Sequence, residues 1–209
     1  ADFQSGAAFR TEGHKLPVFE PLVLAISGDQ TQHLLWRLQN GELPQDLQQR
    51  EDMTFVLLIG TNNIGYGSPP EAAAQGMLAV VRWVLDHTAG KLLLVALLPR
   101  GDGSDPARSS GVDKANALVA RELDNGLRLF PRLRTVDCSA PFRVSSPTPE
   151  TSRVNETLMP DLLHPNREGH KLLGRCIFNA LHSWAPTLWP PPIGLAATEE
   201  LGVGGRLPA

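Results

Sequence analysis

The chain has no apolar run of the ~18 residues that a bilayer-spanning helix needs. That excludes a helical membrane anchor within it. Its opening residues do not form a signal peptide, and it starts on Ala1 rather than a methionine. A processed or incomplete N-terminus is therefore one expectation. Cytoplasmic placement is favoured, with secretion left open. Only two cysteines occur, Cys138 and Cys176, at a spacing that fits no zinc or redox motif. Two buried free thiols are the expected state, ahead of a disulfide. Charge is also scarce in net terms. A balance of -3 gives no reason to propose a nucleic-acid partner or an anionic membrane surface. His164 and His170 are six apart, which does not match the three- or four-residue spacing of a helical metal pair. No internal repeat is visible.

What is present is an ordinary soluble balance, 42% hydrophobic and 20% charged, in 209 residues. That suits one domain with a substantial core. Residues 1–21 carry little pattern. Leu22–Ile26 is a short apolar run that reads as a buried strand. Asp29 follows as an N-cap, with Leu34, Leu35 and Leu38 on a helix that ends near Asn40-Gly41. Residues 42–52 read as loop. A second strand is expected at 54–59, a helix from Pro70 carrying Met77, Val80, Val81, Val84 and Leu85, and a third strand at 91–98. A loop at 99–111 leads to a helix over 112–123, and a short strand covers 133–136. The long loop at 139–160 suggests a functional role. The last helix runs over 167–184, with Leu173, Cys176, Ile177, Ala180, Leu181 and Trp184 buried. Residues 185–209 are rich in Pro and Gly and read as a mobile tail beyond the domain at 1–184.

Strand and helix alternate, which argues for a doubly wound α/β sandwich with a parallel sheet. Ligands bind such folds at the carboxyl ends of the strands. Three polar clusters sit there. Asp161 precedes His164 by three residues, so its carboxylate can hold one imidazole nitrogen and leave the other to accept a proton from a hydroxyl. Gly28 offers a backbone N–H at a helix start, and Asn62, in Gly60-Thr61-Asn62-Asn63, offers a side-chain amide. Each has a plainer reading as a cap or turn, and together they suit acyl transfer. His14, His33, His87 and His182 have no partner spacing. Trp36, Trp83 and Trp184 read as packing residues, and Asn155-Glu156-Thr157 is a formal glycosylation sequon.

These residues resemble the GDSL, or SGNH, hydrolase superfamily, and within it the catalytic subunits of intracellular platelet-activating factor acetylhydrolase with their algal and plant-like relatives. The stretch Gly28-Asp29-Gln30-Thr31-Gln32-His33-Leu34-Leu35-Trp36-Arg37-Leu38-Gln39-Asn40-Gly41-Glu42-Leu43 carries the resemblance furthest. Gly60-Thr61-Asn62-Asn63, Leu97-Leu98-Pro99-Arg100-Gly101 and Asp161-Leu162-Leu163-His164-Pro165 add to it. It spans roughly residues 18–184. It implies a flavodoxin-like three-layer α/β/α sandwich with a parallel sheet. It also implies ester hydrolysis through an acyl-serine, with Gly28 and Asn62 in the oxyanion hole and His164 and Asp161 as base and orienter. A small ester or lipid-derived substrate is implied, with no metal or cofactor, and a homodimer is compatible with it.

The family's Gly-Asp-Ser, whose serine is the nucleophile, is absent from the sequence. By position Ser5 takes its place, but Gln4 replaces the aspartate and only four residues precede it, too few for a buried strand of about five or six. The family's first strand is thus expected to be missing and the domain N-terminally incomplete, which a longer transcript encoding an apolar strand ending in Gly-Asp-Ser would confirm. The 209 residues alone are expected to be poorly active, and a non-catalytic binding or dimerisation module is the alternative.

Overall fold

The computed structural model describes residues 21–102, 106–126, 131–144 and 153–189. Ser5 lies outside them. The helices are α1 (Thr31–Gln39), α2 (Gln45–Gln48), α3 (Thr61–Gly65), α4 (Pro70–His87), α5 (Pro106–Asn125) and α6 (Arg167–Trp184). The strands are β1 (Thr54–Leu57), β2 (Lys91–Val95), β3 (Leu133–Val136), β4 (Arg143–Val144) and β5 (Arg153–Val154). No helix among the described residues is long and apolar enough to cross a membrane.

β1, β2 and β3 form a parallel sheet in that order. Leu92 and Leu94 of β2 point to one face, where Ala73, Met77, Val80, Val81 and Val84 of α4 and Val112, Ala115 and Val119 of α5 close the main core. Consecutive β-strand side chains alternate between faces, so Leu93 points the other way. Its register partner, Arg134, carries its guanidinium 5.8 Å from the ring centroid of Trp184 in α6. Helices therefore cover both faces, giving the expected α/β/α layering. The periodic signals explain why these elements form. The β2 run is apolar without interruption because both faces are covered. The α4 stripe recurs at helical spacing behind Pro70, whose fixed φ suits a first turn.

Several expectations are corrected. Leu22–Ile26 is not a strand: Leu22, Val23 and Ile26 are each more than half exposed, and their backbone joins no ladder among the described residues. An apolar run becomes a strand only by pairing, and no described neighbour supplies that pairing. Val56 and Leu58 are likewise exposed. Asp29 does not cap α1. Gln30 occupies that position, its N–H donating to His33 Nδ1 at 3.2 Å, while the Asp29 carboxylate pairs with Arg37. Residues 45–48, read as loop, form a single helical turn. α5 starts six residues before its apolar stripe, led by Pro106. On α6 only Leu181 of the expected set is fully buried, because the described three-stranded sheet is too narrow to cover the whole stripe. Trp36 is exposed. Residues 185–189 are not loose tail: Trp189 packs edge-on against Phe178, and its carbonyl lies 2.6 Å from His182 Nδ1.

Cys138 and Cys176 are joined in a disulfide. The sequence separation gave no hint of this, because the contact arises only when α6 lies across the end of β3. Asn155, in the formal sequon, donates its amide to the Pro141 carbonyl at 3.0 Å and accepts the Thr157 N–H at 3.1 Å. It closes a turn rather than standing free.

Candidate active site

Asp161 and His164 share a tight turn seated on a small second core of Leu98, Phe142, Val154 and Met159, against which Leu158, Leu162 and Leu173 pack. Asp161 Oδ1 accepts the backbone N–H groups of Leu163 and His164 at 3.0 and 2.7 Å. Its Oδ2 lies 2.6 Å from His164 Nδ1. A carboxylate only accepts, so Nδ1 carries the proton and Nε2 is left as the acceptor of a neutral ring. The His164 backbone N–H, then its ring, hold the Asp161 carboxyl down to about 2. His164 is 73% exposed, so Nε2 is open to an approaching group. α6 then begins on Asn166, whose Oδ1 accepts the Glu168 and Gly169 N–H groups.

Gly28 and Asn62 lie near each other, joined through Asp29. Gly28 has φ +83°, a conformation that favours glycine, and an added Cβ would sit 3.8 Å from the Tyr66 hydroxyl. Asn62 stands in the first turn of α3, directly beyond β1, and its Nδ2 donates to the Asp29 carbonyl at 2.9 Å. An amide has two N–H groups, and one hydrogen bond is seen among the described residues. Gly60, at φ +120°, makes the turn into α3, and a Cβ there would meet Met77 at 3.0 Å. Asn63 is buried and anchors α1: its Oδ1 accepts the Thr31 N–H at 2.9 Å and its Nδ2 reaches Gln32 Oε1 at 3.1 Å. The sequence placed Asn63 only in a turn motif. Its anchoring role links residues too far apart to be seen by periodicity.

The two sides, Gly28 with Asn62 and Asp161 with His164, make no direct hydrogen bond to each other in the described residues. Among the described residues no group of three His, Cys, Asp or Glu side chains is placed to hold a metal ion. His87, one of the unassigned histidines, is accounted for by stacking on Trp83 at 4.7 Å.

The model of the GDSL-like Lipase/Acylhydrolase family matches residues 6–172, a range that holds Gly28, Asn62, Asp161 and His164 and opens directly after Ser5. The chain is 33% identical over 192 residues to the platelet-activating factor acetylhydrolase IB subunit alpha1 of Bos taurus, covering 90% of this chain and 71% of that protein. To the human alpha1 subunit it is 32% identical over 187 residues, 84% and 74% of the two chains. The alpha2 subunit of Gallus gallus is 36% identical over 118 residues, and the chain spans about half of its length, 47%. Among solved structures, a GDSL-like lipase from Bacteroides thetaiotaomicron superposes with a TM-score of 0.57 at 18% identity, covering 75% of this chain and 73% of that one. At that identity the likeness speaks for the fold alone. Sequence match and fold agree that the chain belongs to the GDSL-like lipase/acylhydrolase family.

Proposed function

We propose that the protein is a serine ester hydrolase that acts through an acyl-serine on small acyl groups such as acetyl, carried on a small or lipid-derived alcohol. The observation that carries this reading is the 2.6 Å pairing of Asp161 Oδ2 with His164 Nδ1, which leaves Nε2 exposed. In this scheme a serine hydroxyl attacks the ester carbonyl and passes its proton to Nε2. Asp161 keeps the ring in the required tautomer and stabilises the imidazolium. The carbonyl oxygen becomes an oxyanion, and the Gly28 N–H and the second Asn62 amide hydrogen stabilise it. One such fixed donor is worth roughly 3 kcal/mol in a transition state. His164 then protonates the departing alkoxide, and water repeats the sequence to release the acid and restore the serine. The names of the acetylhydrolase relatives support the acetyl assignment.

Ser5 is the positional candidate for the nucleophile. The test is labelling with a fluorophosphonate probe followed by peptide mapping, alongside p-nitrophenyl acetate hydrolysis. Burst release of p-nitrophenol that is lost in His164→Ala, with the probe on Ser5, supports the proposal.

One observation favours a second reading. No Gly-Asp-Ser tripeptide occurs in the sequence. A paralogue that keeps the fold as a binding or dimerisation module would show neither labelling nor turnover.

A further inference from the structure

Arg100 is 3% exposed, yet it carries a permanent charge. Burying a guanidinium is costly unless its donors are satisfied in a specific geometry. Here they are. Nε and Nη2 form a fork onto Asp102 at 2.7 and 2.5 Å. Nη1 donates to the carbonyl of Thr61, and also lies 3.3 Å from the Thr61 hydroxyl. Thr61 immediately precedes Asn62. The guanidinium lies so close to α3 that a Cβ on Gly65 would stand 2.6 Å from Nη1.

The next residue reaches the other way. The Gly101 N–H donates to the Leu162 carbonyl at 2.8 Å. Leu162 lies between Asp161 and His164. At φ +63° it is the one non-glycine residue in the left-handed region among those described. Such a conformation persists only where the surroundings over-determine it. Gly101 also packs closely here: an added Cβ would be 3.2 Å from Val154 and 3.5 Å from Leu162 Cβ.

We propose that Arg100 and Gly101 are positioning residues, forming a strut that sets the separation between the Asn62 donor and the Asp161–His164 turn. The strut rests on the reading of these two sides as one active site. It explains why a charged fork fills a site that an apolar side chain could fill. The fork onto Asp102 fixes the guanidinium, its Nη1 ends on backbone beside Asn62, and the chain neighbour Gly101 ends on backbone beside Asp161. Lysine keeps the charge but loses the planar fork.

The test is Arg100→Lys in the full chain, with three readouts. Thermal unfolding reports folding. The low-field NMR resonance of the His164 Nδ1 proton reports the Asp161 pairing across the strut and needs no turnover. Steady-state kinetics on p-nitrophenyl acetate separate kcat from KM. The expected result is a folded variant whose Nδ1 proton resonance is broadened or lost. Its kcat falls by about 10²-fold, the order of effect of a roughly 1 Å misplacement, with KM little changed. A folded variant that keeps both the resonance and kcat overturns the proposal. Where Arg100→Lys does not fold, Gly65→Ala crowds the same guanidinium without changing its charge and is read in the same way. If the parent neither turns over nor labels, the hydrolase reading fails, while the Nδ1 resonance still decides the strut.

Discussion

Asn63 Oδ1 accepts the backbone N–H of Thr31 at 2.9 Å, across 32 residues of sequence, in a buried setting. This bond ties the start of α1, and with it the Gly28 loop, to the turn that carries Asn62. Asn63→Ala leaves the Thr31 N–H without its partner and is expected to cost about 1–3 kcal/mol. Asn63→Asp keeps the acceptor and should lose less. Urea denaturation of the three proteins checks this, and an alanine variant as stable as the parent would discount the anchor.

α1 also sits tightly on α4. A Cβ at Gly76 would stand 2.1 Å from Thr31 Oγ1 and 2.8 Å from Thr31 Cβ. Gly76→Ala should therefore destabilise by about 1–3 kcal/mol through overpacking, despite alanine's better helix propensity. Adding Thr31→Ala removes the hydroxyl and should recover part of the loss. A double-mutant cycle by thermal melting measures that coupling.

On the hydrolase reading, Asn62→Ala removes one oxyanion donor. kcat on p-nitrophenyl acetate should fall by about 10²–10³-fold, with KM changed far less. Equal losses in binding and turnover would point instead to a collapsed loop. The circular dichroism spectrum of the variant distinguishes the two.

The Asp161 carboxyl titrates at about 2 in the folded protein, held down first by the His164 backbone N–H and then by its ring. The ordinary value in an unfolded chain is about 3.9. A depressed folded value means that the stabilisation is present above about pH 4 and is lost as the pH falls toward 2. The group is more than half exposed, so solvent screening keeps the contribution to about 1 kcal/mol or less. The gap in urea midpoint between the parent and Asp161→Asn should close as the pH falls from about 4 toward 2. A gap that persists undiminished at about pH 2 would contradict the assignment.

The Cys138–Cys176 bridge closes a 38-residue separation. Chain-entropy arguments put its worth at about 3–4 kcal/mol. The double serine variant should melt earlier by a corresponding amount. A thiol reagent should find no reactive cysteine before reduction under denaturing conditions and two afterwards.

The parts of the fold that follow from local pattern were legible. Uninterrupted apolar runs marked β1 and β2, and helical stripes marked α4 and α6, because burial on one or both faces imposes its period directly on the chain. Asp161 and His164 were legible as a pair for the same reason: three residues on a turn suffice to bring them into contact. Asn62 follows β1 as expected, but the run before Gly28 is not a strand, and neither spacing nor composition showed that Asn62 would reach the Asp29 carbonyl.

What the chain alone settled, then, is the α/β class and the alternation of β1, α4, β2, α5, β3 and α6. Tertiary structure decided the rest, because the deciding contacts join distant segments. The run at 22–26 has strand composition but finds no described partner, and pairing is a long-range condition that no local pattern contains. The two cysteines became a disulfide only when α6 crossed the end of β3. Arg100 carries no mark in the sequence of its buried reach to Thr61, 39 residues away. Loop closure over such distances is cheap in entropy and invisible to periodicity, so only packing determines which distant groups meet.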